Sequence, residues 1–414
     1  MKIAFFTENS YAGGLDSFLI SLINYWPHPQ DELLLICNAS HPGLEIISRR
    51  LIRSCRIVPH SIPLLWRLMD RLRHIPVLRL FRKILSPLLR YPFFCIYLIS
   101  TGWILWREAP DRVLVVNGGY PGGDTNRAAT ISWSLIATER PNAAHVIHSM
   151  AVATRWWERI FETLIDTLLT RSAITFIGVS HACVNSLQNR PIIRDHGRSR
   201  VIYNGIADQA KVESDHDTLR RSLGIPLKAS LCLMLGTYEP HKGHDFLFRA
   251  FKRVLKKVPD AFLVCCGYGY PQDMEKVRRL LRISGVEERV RLEGFRIDVP
   301  DLMNASDILV LPSQSFESFG LTIVEAMAMK VPVVATNVGG IPEVLGNDEC
   351  GFSVSPEDEV GFADAVAKLL VDDGLRIRMG ANGYERYRRL FTAQRMADEY
   401  ARIIHADGDL PSLV

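Results

Sequence analysis

Residues 308–325 read Ile308-Leu309-Val310-Leu311-Pro312-Ser313-Gln314-Ser315-Phe316-Glu317-Ser318-Phe319-Gly320-Leu321-Thr322-Ile323-Val324-Glu325. A short apolar run, a polar connection and a second apolar pattern that looks helical from Leu321 predict strand, loop and helix in that order. At the helix start Gly320 and Leu321 offer bare backbone N–H groups, a ready anion site of the size of a diphosphate. Glu325, one turn further in, can accept hydrogen bonds from a vicinal diol such as a ribose presents, and Glu317 on the loop can hold further hydroxyls. In isolation, two glutamates eight apart read more simply as a loop residue and a solvated helix face.

The strand–helix alternation extends in both directions. Strand patterns are expected at 2–7, 33–37, 113–117, 144–148 and 176–179, and again at 231–236, 261–267, 290–293, 308–311 and 331–335. Helical patterns between them make this the alternation of a parallel, doubly wound α/β sheet, built twice. At 414 residues the chain is long for one domain, and residues 207–217, polar and acidic without periodicity, mark a linker. Domains are therefore expected at 1–207 and 208–389.

Composition excludes several classes. The eight cysteines contain no C-x-x-C pair and mostly sit in apolar runs, so neither a disulfide framework nor a zinc site is expected. Residues 1–8 have a strand pattern without the apolar core of a signal peptide, and a reducing, cytoplasmic setting is expected. The net charge of +4 hides an asymmetry: up to Ala207 there are 23 Lys and Arg against 14 Asp and Glu, and beyond it 26 against 31. Much of the excess lies in residues 61–90, where Arg67, Arg71, Arg73, Arg79, Arg82, Lys83 and Arg90 alternate with Trp66 and leucines. That pattern suits a helix on an anionic membrane surface, or equally a solvated helix packed on its own domain. A nucleic-acid partner is not expected. Residues 91–106 are nearly uncharged, but with Pro92, Gly102 and only about 16 residues they read as a helix leading into a strand rather than a bilayer crossing.

Four further segments fall in a fixed order around residues 317–325. They are Val179-Ser180 with Val201-Ile202-Tyr203-Asn204-Gly205-Ile206; Leu235-Gly236-Thr237-Tyr238-Glu239-Pro240-His241-Lys242-Gly243-His244; Pro332-Val333-Val334-Ala335-Thr336; and Gly339-Gly340-Ile341-Pro342-Glu343. Together they make the chain resemble the retaining glycosyltransferases of family 4, densely in the C-terminal half and loosely in the N-terminal half. The resemblance implies the GT-B fold: two Rossmann-like doubly wound parallel-sheet domains facing across a cleft, the donor on the second and the acceptor on the first. It also implies that a last helix, about 390–414, returns to the first domain.

On that resemblance the donor is a nucleotide diphosphate sugar of the UDP or GDP type, a co-substrate, with no cofactor and no metal. Lys242 would neutralise the leaving diphosphate, Glu317 would position the sugar and Glu325 would hold the ribose. Gly267, Phe319, Gly320 and Leu321 would complete the donor pocket, with Gly339, Gly340 and Glu343 shaping its wall. Gly13 and Gly14, after the first strand, would let backbone approach phosphate or acceptor; alone they are a plain turn. His148, at a strand end, would hydrogen-bond a sugar hydroxyl at the reacting centre, although a lone His there is commonly structural. The loop Asn117-Gly118-Gly119-Tyr120 would line the acceptor side, with Tyr120 stacked on a sugar ring, or else be a surface turn. The chain departs from the family at Thr237, where a basic residue, usually Arg, stands five before the lysine; one phosphate contact is thereby lost. The acceptor is expected to be a saccharide or a lipid-linked molecule, as in envelope polysaccharide or glycolipid synthesis. The rivals are a nucleotide-sugar epimerase or hydrolase on this fold and a non-catalytic, membrane-associated homologue.

Three patterns carry less. Cys266-Gly267-Tyr268-Gly269-Tyr270 lacks the third glycine of a dinucleotide fingerprint. Asp215 and Asp217 mimic a metal-binding pair but have no strand before them. His241 and His244 lack a third ligand.

Overall fold

Apolar runs buried on both faces form the central strands of two separate all-parallel sheets, the arrangement that helices on either side require. The computed structural model describes residues 1–406 apart from 11–12, 73–75, 138–142, 196–197, 209–211, 213 and 347–348. The chain divides into one unit of Met1–Tyr203 with Ala393–Val414 and a second of Asn204–Thr392.

The first unit contains β1 (Lys2–Thr7), β2 (Glu32–Asn38), β3 (Arg56–His60), β4 (Arg112–Asn117), β5 (Ala143–Ile147), β6 (Ala173–Gly178) and β7 (Ser199–Val201), ordered β3-β2-β1-β4-β5-β6-β7. Ile3, Ala4, Phe5 and Phe6 of the central β1 are fully buried. The helix Ala393–His405 closes one face: Met396, Ala397, Tyr400 and Ile404 pack in one cluster with Phe18, Leu22 and Leu114, and the Ile404 carbonyl accepts from Arg112 Nε at 3.0 Å. It is separated from the helix Asp373–Leu390 by a break at Phe391 and Thr392.

The second unit contains β8 (Leu231–Leu235), β9 (Phe262–Cys266), β10 (Val290–Glu293), β11 (Ile308–Leu311), β12 (Val333–Thr336) and β13 (Gly351–Val354), ordered β10-β9-β8-β11-β12-β13. Asp215 accepts from the amides of Asp217 and Thr218 and so caps the helix His216–Ser222, which accounts for that acidic pair without a metal.

The basic, apolar region resolves into the helices Leu65–Leu72 and Pro76–Glu108. Arg73, and the side chains of Arg79, Arg82 and Lys83, lie outside the described residues. The segment expected as a 16-residue helix is part of this 33-residue one, whose stretch Leu85–Glu108 contains an 18-residue window of mean hydropathy 1.4 and is long and apolar enough to cross a membrane by composition. Pro87 and Pro92 lie inside it without ending it. Its inward side chains Phe94, Tyr97, Ile104 and Leu105 are buried in the unit.

Beneath that helix lies a buried charge network. Arg127 donates to Glu162 at 2.9 Å and to Asp124; Arg190 donates to Asp166 at 2.8 and 3.0 Å and to Glu162; Arg90 reaches Asp124 at 2.9 Å and Glu162 at 2.7 Å. Burial alone would raise Asp124, but Arg127 and Arg90 override it and hold the carboxyl at about 2. Removing one cation would leave carboxylates buried without their partner. Arg127→Ala is therefore expected to cost about 3–5 kcal/mol of stability, read as a lower denaturant midpoint for the full chain, whereas a midpoint within error of the wild type would contradict the network's role.

Candidate active site

In the second unit β8 and β11 are neighbours although the chain visits β9 and β10 between them. The connections diverge there, and the loops leaving the carboxyl ends of two such strands frame a crevice where ligands bind. The loop after β8 holds Gly236 to Glu239, a single turn Pro240–Lys242 and Gly243; that after β11 holds residues 312–320.

These loops are fastened to each other. Gly243 has φ 78°, and a Cβ there would stand 2.0 Å from the Pro312 carbonyl oxygen, so only glycine permits both the turn and the approach. The Gln314 amide donates to the His241 carbonyl at 2.8 Å, and the His241 ring stacks on Phe316 with centroids 4.4 Å apart. Across this contact Lys242 Nζ meets Glu317 Oε2 at 2.6 Å, with both side chains mostly buried, at 18% and 15% exposure. Ser313 Oγ donates to the same carboxylate oxygen at 3.3 Å. From the other side Gly339, at φ 56°, comes so close that a Cβ would lie 2.0 Å from the Glu317 carbonyl oxygen, which accepts from the Gly340 amide at 2.8 Å. Glu317 is thus placed by three strand-end loops. The Glu343 carbonyl accepts from Arg386 Nη2 at 2.7 Å.

Three residues beyond Glu317, Gly320 turns the chain into the helix Leu321–Ala328 through φ 86°. The Ile323 amide is used by the Gly320 carbonyl at 2.9 Å, while the amides of Leu321 and Thr322 have no acceptor among the described residues. The aromatic ring of Phe319 does not face a ligand: it is buried and meets Phe391 edge-on at 5.8 Å, so Phe319 can serve a donor through its backbone alone. Glu325 lies a turn inside. Burial pushes its carboxyl up to about 7, and among the described residues no ion pair or hydrogen bond reaches it.

The Thr237 hydroxyl donates to Glu239 at 2.8 Å. Lys242 is the sole Lys or Arg in residues 236–243 and 312–320, and Arg296, after β10, is engaged by Asp298. Gly267 is fixed by packing, since a Cβ would fall 1.8 Å from the Gly236 carbonyl oxygen; that close pass of the β8 and β9 loops requires glycine with or without a ligand. His241 is held below the ordinary histidine range by burial and by Lys242, and burial brings buried His244, stacked on Tyr238, down to about 4.

In the first unit the connections diverge between β1 and β4. Three expectations change there. The Gly13 amide is already bonded to Asp16 Oδ2 at 3.0 Å, so it is not a bare phosphate donor; Gly14 begins the helix Gly14–Asn24. Asn117 is buried and spends its side chain on its own loop, accepting from the Gly123 amide and Asn126 Nδ2, both at 3.2 Å, and donating to the Pro121 carbonyl at 3.3 Å. Tyr120 is 1% exposed; its hydroxyl donates to Asp166 at 2.6 Å and its ring lies under Arg190, so it has no face for a sugar. Gly118 faces open space, and a Cβ at Gly119 would touch Ser149 at 3.4 Å. His148 follows β5 with its ring against Phe18 at 4.2 Å, Nε2 unbonded, and burial bringing it down to about 3, so its imidazole is neutral.

Glu8, which the sequence reading did not single out, sits just past β1. Its amide donates to Asn126 Oδ1 at 2.9 Å, its Oε2 has no partner, and burial, aided by Asp124, pushes the carboxyl up to about 7. The available signal was position: a lone carboxylate immediately after the central strand.

Two parallel-sheet Rossmann-like units with loops gathered at the strand ends are the GT-B architecture. The chain superposes on Anabaena Alr3699/HepE in complex with UDP and glucose with a TM-score of 0.74, covering 97% of this chain and 99% of that one at 20% identity. Residues 215–386, within the second unit, match the family described as glycosyl transferases group 1. Relatives in sequence include an N-acetyl-alpha-D-glucosaminyl L-malate synthase of Bacillus anthracis, 29% identical over 55% of this chain and 58% of that protein. A D-inositol 3-phosphate glycosyltransferase of Corynebacterium efficiens is 36% identical over 46% and 48%. The matched region thus spans about half the length of these relatives.

The acid–base state of Glu325 has a measurable consequence. A diol donating to its carboxylate lowers a pKa that starts at about 7, so affinity for a sugar diphosphate should rise with pH up to that value and then level off. Calorimetric titration should show a loss approaching tenfold per pH unit below about 7, abolished in Glu325→Gln; a flat wild-type profile would contradict the assignment. Tyr120→Phe should cost ~1–3 kcal/mol of stability in a denaturant titration, and an unchanged midpoint would argue against the buried bond to Asp166.

Proposed function

We propose that this protein is a retaining glycosyltransferase that moves a hexose-type unit from a nucleotide diphosphate sugar to a hydroxyl acceptor in the assembly of envelope polysaccharide or glycolipid. The observation that carries the reading is the 2.6 Å contact of Lys242 Nζ with Glu317, three residues before a helix start whose amides are open. A cation, a carboxylate and, from three residues further on, two N–H donors are the groups on which a diphosphate and its attached sugar would call.

In the proposed reaction the bond from the anomeric carbon to the distal phosphate oxygen breaks as the acceptor oxygen bonds to the same face of that carbon. The acceptor's proton passes to the departing phosphate oxygen, and the nucleoside diphosphate leaves. Negative charge grows on the diphosphate as the bond breaks. Lys242 and the amides of Leu321 and Thr322 act at that stage, being preset where charge develops. Glu317 would take sugar hydroxyls, and Glu325 the ribose diol. With Thr237 where an arginine would add a second charge, Lys242 carries a larger share of the diphosphate.

Incubation with UDP, GDP and TDP sugars, with and without saccharide and lipid-linked acceptors, tests the reading. Transfer should depend on acceptor and give a product retaining the donor's anomeric configuration. Lys242→Ala and Glu325→Ala should each lower transfer ~100-fold or more in protein that still folds and unfolds cooperatively. Full activity in either variant, donor turnover independent of acceptor, or no donor-induced thermal shift with any of these sugars would each contradict it.

A further inference from the structure

A helix that is apolar all round is either enclosed by protein or in contact with an apolar phase outside it. From Leu85 to Glu108 the helix Pro76–Glu108 is enclosed on one side only. Its outward positions Leu88, Tyr91, Cys95, Ile99, Trp103 and Trp106 are exposed, Ile99 at 73% and Trp106 at 68%. They recur every three or four residues and form one uncharged stripe about 27 Å long. Beside it, Leu135 and Ile136 at the end of the helix Asp124–Ile136 join Ile99, Trp103 and Trp106 around an open, apolar hollow of about 390 Å³. Just 28% of the apolar window in this helix is buried, too little for a core helix.

We propose that this stripe is a docking face for an anionic lipid bilayer, along which the helix lies in the plane of the headgroups. The inward face is committed to the first unit through Phe94, Tyr97 and Leu105, so the helix lies along a bilayer rather than across it. Trp103 and Trp106 have the amphipathic rings that settle at headgroup depth. Charge selects the occupant. Residues 61–108 contain eight Lys and Arg against Asp70 and Glu108; Arg90 is spent on Asp124 and Glu162, while Arg107 lies over the Trp103 ring at 4.8 Å and Arg67 over Trp66 at 5.2 Å. Two copies meeting through this face would oppose two strongly basic segments, whereas anionic lipid neutralises one. The proposal does not depend on the glycosyl-transfer reading, since every residue it uses lies in residues 61–136.

The test is flotation of the full-length protein with vesicles of phosphatidylglycerol and phosphatidylcholine, and with phosphatidylcholine alone. Binding should be at least tenfold stronger to the anionic vesicles at ~50 mM salt and should weaken at ~500 mM. Tryptophan emission should be quenched by brominated acyl chains. Ile99→Glu combined with Trp106→Glu, both at exposed positions, should lower binding tenfold or more with an unchanged melting temperature. The proposal is overturned by absence of binding at low salt, by equal binding of the double variant, or by a wild-type dimer that the double variant makes monomeric without vesicle binding.

Discussion

The ion pair between Lys242 and Glu317 joins two loops that leave neighbouring strands in opposite directions, and the geometry of the second unit converges on it. Gly243 can approach Pro312 because it lacks a side chain, and Gly339 can approach Glu317 for the same reason. Each close pass removes the space in which the loops could drift apart. A lysine and a glutamate held at 2.6 Å and mostly buried neutralise each other while no anion is present. A diphosphate would change that balance, since its charge competes with the carboxylate for one ammonium group, and the Leu321 and Thr322 amides, without acceptors among the described residues, are further donors for it. In the proposed reaction the pair is then a rest position, and the freed Glu317 becomes available to a sugar hydroxyl.

The two units use the same physical device to different ends. In each, the sheet's connections part at the central strand and leave polar residues beyond its carboxyl end. In the second unit those residues stay open at Gly320, Glu325 and the helix amides. In the first, most have found partners inside the unit: Gly13 with Asp16, Asn117 with its own loop, Tyr120 with Asp166. Glu8 and His148 remain with unsatisfied atoms, both driven toward their neutral forms by burial.

Alternating periodicity made the doubly wound sheets legible in the sequence, and the central strands fall close to where apolar runs place them. Of the four edge strands, β10 lies where 290–293 was expected, and the other three were not legible. β3 contains Arg56, Pro59 and His60, β7 is three residues long, and β13 begins at a glycine, so none carries a continuous apolar run. Backbone-level predictions at the site, such as the helix opening at Gly320, need little beyond local sequence. Side-chain direction is decided by distant partners that spacing cannot reveal. Tyr120 turns inward because Asp166 and Arg190, 46 and 70 residues away, form a charged cavity for it. Phe319 turns inward because Phe391 offers an aromatic neighbour. The long apolar helix divided similarly: composition announced it, but only packing shows which stripe is spent on the core.

The central claim is that one ammonium group and one helix start receive the same diphosphate. A crystal structure with an intact nucleotide sugar tests it most directly. The account predicts phosphate oxygens within hydrogen-bonding distance of Lys242 Nζ and of the Leu321 and Thr322 amides, with the lysine drawn off Glu317. A donor bound elsewhere, or a Lys242–Glu317 contact unchanged beside it, would contradict the account.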